Sequence, residues 1–114
     1  MIVDRQIADP FVRVTGADIA RIVDDMGVDA GELGWLLGVD RTTVFRWIRG
    51  QARLVEHSLA GRLLWVLSFL SSDKLEHVGS IVADHRRRNA SELLAMLDVL
   101  VWVFQAFFEN TGYT

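Results

Sequence analysis

A chain of 114 residues with 12 basic against 15 acidic side chains, net charge −3, fits one small domain, or one small domain with an appended oligomerisation element. The absence of cysteine excludes a disulfide framework and a thiolate metal site, and agrees with a reducing, cytoplasmic setting. Hydrophobic residues make up 51% and mean hydropathy is +0.25, a high apolar load for a lone monomer of this size.

The first segment, MIVDRQIADP, has no basic stretch followed by an apolar core, so no signal peptide is expected. Its Pro10, the only proline, fits an irregular N-terminal arm over 1–14. Thr15 can cap a first helix running to residue 26, with Ile19, Ile22 and Val23 inward and Gly27 at its end. Residues 28–50, VDAGELGWLLGVDRTTVFRWIRG, then read as two short amphipathic helices joined by a tight turn at Gly38-Val39-Asp40. Leu33, Leu36 and Leu37 give the first of these an inner stripe, and Val44, Trp47 and Ile48 do the same for the second. Gly34 is small where the two helices are expected to approach, Gly38 suits a left-handed turn, and Asp40 can cap the second helix.

The outward positions of that second helix are Arg41, Thr42, Thr43, Phe45, Arg46 and Arg49. Arginine is the commonest reader of guanine, and threonine bonds base edges or touches a thymine methyl. An ordinary solvated helix face also holds arginine and threonine, but has no use for Phe45. Charge distribution supports a polyanion partner despite the acidic total. Residues 1–40 carry net −5, residues 41–62 net +4 from Arg41, Arg46, Arg49, Arg53 and Arg62 against Glu56, and residues 63–114 net −2. The positive block coincides with the second helix of the pair and the segment after it.

Residues 15–70 resemble the Cro/C1-type (XRE-like) helix-turn-helix regulators of phages and bacteria. The likeness is carried by Gly34, Gly38 at the turn, Val44 and Trp47 inside the second helix, and the closing Trp47-Ile48-Arg49-Gly50. It implies an all-α, lambda-repressor-like helix-turn-helix bundle of five short helices, the third lying in the major groove, that binds operators as a dimer. Carried over position by position, the base-facing residues are Arg41, Thr42, Phe45 and Arg46. Three positions depart from the family. Ala30 stands where a phosphate-bonding glutamine is frequent, Val23 where a basic residue is common, and Ala52-Arg53-Leu54-Val55 lacks the proline that often opens the fourth helix.

Downstream, a fourth helix is predicted over 55–70. Leu59, Leu63, Leu64, Val66, Leu67 and Leu70 are apolar, and Trp65 and Phe69 add a second stripe, so burial on two sides is expected. A fifth helix is predicted from Ser72 to about residue 86, with Arg86, Arg87 and Arg88 satisfying its last carbonyls. Asn89 followed by Glu92 marks the start of a sixth, to about residue 109. That helix holds LLAMLDVLVWVFQAFF, interrupted only by Asp98 and Gln105. It is too short and too charged for a membrane span, and its apolar arc is too broad for one contact. Leu93, Leu97, Leu100, Val101, Phe104, Phe107 and Phe108 are assigned to a partner subunit, in a parallel or an antiparallel arrangement.

The expected organisation is an N-terminal arm (1–14), a helix-turn-helix domain (15–71) and a helical dimerisation region (72–114). His57, His77 and His85 lack the spacing of a metal pair, and no nucleophile–base or phosphate-loop pattern occurs, so neither enzyme activity, metal nor cofactor is expected. The expected function is sequence-specific binding of double-stranded DNA as a transcriptional regulator, a repressor in the first instance, acting as a homodimer or higher oligomer. Two alternatives remain. One is the antitoxin of a toxin–antitoxin pair, with a toxin as protein partner; the other is a protein-interaction module on a helix-turn-helix fold.

Overall fold

The structure, a computed structural model, describes residues 14–52 and 58–111. The arm before Val14, Arg53 and the first residues expected for the fourth helix lie outside the described residues. Six helices follow one another: α1 (Gly16–Met26), α2 (Ala30–Leu37), α3 (Arg41–Ile48), α4 (Leu59–Leu67), α5 (Ser72–Arg87) and α6 (Glu92–Thr111). No strand occurs among the described residues, and the fold is all-α.

Short polar side chains set where the helices begin. The Thr15 hydroxyl accepts the Asp18 N–H while the Asp18 carboxylate accepts that of Thr15, a reciprocal cap. Asp29 and Glu32 do the same for α2. Gly27 and Gly38 have φ of +70° and +76°, and the residue after each donates back to a carbonyl five positions earlier, Val28 to Val23 and Val39 to Gly34.

Three boundaries differ from expectation. Ser71, not Ser72, caps α5. Asn89 does not cap α6. It adopts φ +57° and closes α5, with its N–H bonded to Arg86 and that of Ala90 to His85. Asparagine tolerates this left-handed geometry better than most residues. Ser91 then caps α6, accepting the Leu94 N–H at 3.3 Å. The α4 reading changes most. The helix stops at Leu67, so Phe69 lies past its end and is 71% exposed, and Leu59 is exposed too. Trp65 meets Phe69 edge to face rather than filling a second buried side.

One buried cluster takes side chains from all six helices, from Ile19 to Val103. α1 packs on α3 and α5, α2 on α3, α4 and α6, and α5 on α6. The α1–α5 contact depends on Gly79, because a Cβ there would overlap the Met26 carbonyl oxygen. Arg21 joins α1 to the end of α4, donating to the Ser68 carbonyl at 2.9 Å and to Asp25 at 3.0 Å. Across α5 and α6, His85 Nε2 lies 2.6 Å from Asp98 Oδ2. No helix among the described residues is long and apolar enough to cross a membrane.

Candidate nucleic-acid interface

α3 is held from its start, its inner face and its end. At the start, Asp40 Oδ1 accepts both the Thr43 N–H and the Thr43 hydroxyl, each at 2.8 Å. The backbone bond from Thr43, then its hydroxyl, with the Arg46 guanidinium adding to both, hold the Asp40 carboxyl below its ordinary 3.8. A depressed carboxyl stabilises the fold at pH values above its ordinary one, and that contribution is lost as pH falls through the lowered value. Asp40→Ala is therefore expected to melt at a lower temperature than the native chain at neutral pH. The gap should close as the pH is taken below 3.8, measured by circular dichroism melts across pH.

On the inner face Val44 and Trp47 are buried and Ile48 half-buried. At the end, Gly16 of α1 lies against the last carbonyls of α3, where a Cβ would stand 2.8 Å from the Trp47 oxygen. Gly34 of α2 has a related role, close to the one expected. It lies under the turn and the start of α3, where a Cβ would meet the Val39 oxygen at 2.6 Å and the carbonyl of Asp40, the cap of α3, at 3.3 Å.

What remains outward is a narrow cationic face. Arg41, Thr42, Arg46 and Arg49 are exposed, and Phe45 is 37% exposed. At 3.6 residues per turn these five positions fall within an arc of about 140°. The Arg49 guanidinium lies 5.5 Å from the Phe45 ring centre, a cation–π contact that orders both side chains. Thr43 differs from the outward expectation, being half-buried with its hydroxyl committed to Asp40. An Asp-x-x-Thr spacing at a helix start is the signal that points to this.

Three acidic residues of α1 and the start of α2 are engaged within the fold. Asp29 and Glu32 bond each other's backbone, and Asp25 accepts from Arg21 and Ser72. The arginine triplet behaves unlike a set of carbonyl caps. Arg87 and Arg88 pair with Asp84 at 2.7 and 3.2 Å, and Arg86 lies over Trp35 at 5.6 Å. Periodicity gave no sign of that last contact, because it joins α5 to α2 across the fold.

The residues assigned to a partner subunit share one side of α6. Leu93, Leu97, Val101, Phe104, Phe107 and Phe108 are exposed, with Leu100 half-buried beside them. Ala95, Met96, Val99 and Val103 form the opposite, buried side. No protein-family model, curated protein or solved structure matches the chain.

Proposed function

We propose that the protein binds double-stranded DNA sequence-specifically, inserting the outward face of α3 into the major groove, and regulates transcription at an inverted-repeat operator as a homodimer. The observation that carries this is the sorting of α3. Val44 and Trp47 anchor one side in the core, while Arg41, Thr42, Phe45, Arg46 and Arg49 stand together on the other. Arg41 and Arg46 suit the acceptor edge of guanine, and Thr42 and Phe45 suit the thymine methyl. The negative charge of the remaining chain opposes unspecific adsorption to a polyanion, so that groove fit rather than bulk charge selects the site.

One short helix reads only a few base pairs, and a two-fold pair reads both halves of a palindrome. Selection from a randomised duplex pool at low salt is expected to enrich an inverted repeat with half-sites centred about one helical turn, or a multiple, apart. Recovery of unenriched pool sequence would remove the proposal and favour a protein-interaction role.

A further inference from the structure

The exposed side of α6 has an internal period. Leu94, Leu97, Val101, Phe104 and Phe108, each about half exposed, follow one another in alternating steps of three and four. That is the seam of a two-helix coiled coil, a surface shaped for another helix along its length. α6 has 20 residues and is about 30 Å long, and the seam from Leu94 to Phe108 takes about 21 Å of it. With Leu93 and Phe107 added, seven apolar side chains leave on the order of 700 Å² uncovered, near the ~800 Å² that each partner contributes to a standard interface.

The borders of the seam differ. Asp98 and Gln105 line one, and Leu93, Leu100 and Phe107 line the other. In a parallel pair unlike borders meet, so Asp98 would be set beside the partner's Leu93 and Gln105 beside the partner's Leu100, desolvating polar groups against leucine. In an antiparallel pair like borders meet, apolar on apolar and polar on polar. Two antiparallel registers keep the seam in layers. One sets Asp98 against the partner's Asp98, which like-charge repulsion opposes.

We propose that α6 pairs with α6 of a second copy in the other register, antiparallel. Leu97 packs on the partner's Phe108, Val101 on the partner's Phe104, and Leu100 beside the partner's Phe107. Asp98 then faces the partner's Gln105. His85 occupies Oδ2 of Asp98, which leaves Oδ1 to accept from that glutamine amide. This register also overlaps the two helices over nearly their whole length. The apolar border continues into a groove of about 510 Å³ lined by Trp65, Phe69, Leu70, Phe104 and Phe107, so the partner's Leu100 closes over its mouth. The pairing deepens the homodimer reading and does not require DNA.

Because the chain has no cysteine, single-cysteine variants test the register directly. Leu97→Cys and Phe108→Cys both sit at exposed positions, so the subunit fold is expected to persist by circular dichroism. Mixed under mild oxidation without DNA, with one variant size-tagged, the two should give the mixed disulfide. Either alone should stay uncrosslinked, because its own copies lie about 16 Å apart along the axis, beyond the ~7 Å reach of a disulfide. Self-crosslinking of Leu97→Cys would overturn the proposal in favour of parallel pairing. No mixed disulfide, with a monomer mass by light scattering, would overturn it in favour of another occupant. DNA affinity is read separately, so loss of the regulator reading leaves this result standing.

Discussion

Gly79→Ala is expected to lower the melting temperature of the protein sharply. The substitution is a sharp test because two effects have opposite signs. On an exposed helix, alanine in place of glycine stabilises by about 1 kcal/mol. At Gly79 the added methyl instead falls on the Met26 carbonyl oxygen, a backbone atom at the end of α1 that cannot swing aside as a side chain does. Separating α1 from α5 would open the core to which Ile22, Met26, Leu75 and Val78, all buried, belong. Overpacking of this kind costs about 3 kcal/mol or more, a large part of the 5–15 kcal/mol typical of a whole domain. A thermal melt followed by circular dichroism checks it. A variant as stable as the native chain would mean that α1 and α5 are not in contact at this point.

The second large effect is expected from Val101→Glu. Val101 is 56% exposed, so a glutamate there changes little within one subunit, about 0.5 kcal/mol or less for an exposed surface site. Between two paired copies of α6 the same carboxylate would be buried against apolar rings, which costs far more than the contact yields. Light scattering should report half the native mass with unchanged helical circular dichroism. Operator affinity should fall by about 100-fold or more, since each half-site must then bind without the advantage of linkage. A variant that keeps the native mass would show that this side of α6 does not hold subunits together.

Much of the fold was legible because its signals are local. Thr15, Gly27, Gly38 and Asp40 act within one helical turn, and each stands where sequence placed it. Most inner residues of α1, α2 and α3 follow from period alone, but on α1 Met26 is buried where Val23 was expected inward and is only half-buried. What sequence misplaced depends on competition or on distance. Asn89 had the chemistry of a helix start, but the end of α5 claimed it, and Ser91 was close enough to take over the capping. Phe69 fits the α4 stripe only if the helix continues, and it ends at Leu67. Gly16 and Gly79 gave no signal, because their need for glycine comes from a backbone 32 and 53 positions away in the chain.

The candidate interface divides in the same manner. The outward set on α3 was legible from the spacing of Val44 and Trp47, since what faces away from two anchors must face solvent. Thr43 belonged to the cap instead, as Asp40-x-x-Thr43 indicates in retrospect. Arg86 over Trp35, and Arg87 with Arg88 on Asp84, required the third dimension. On α6 the uncovered side was legible in part, since spacing alone assigns Leu97, Val101, Phe104 and Phe108 of the seam to a partner. The helix is apolar nearly all round, so the outward place of Leu94 and the inward ones of Ala95, Met96, Val99 and Val103 follow only from burial.

The most direct measurement is a fluorescence anisotropy titration of the selected duplex with the native protein and with Arg46→Ala, each repeated on a scrambled duplex. Arg46 is exposed on α3, and its loss leaves the core untouched. A bidentate contact to a base contributes about 1–3 kcal/mol of discrimination, and a two-fold dimer loses one in each half-site, so operator affinity should weaken by about 30-fold or more while scrambled-duplex affinity changes far less. Equal affinity of both proteins for the operator would contradict the placement of α3 in the groove.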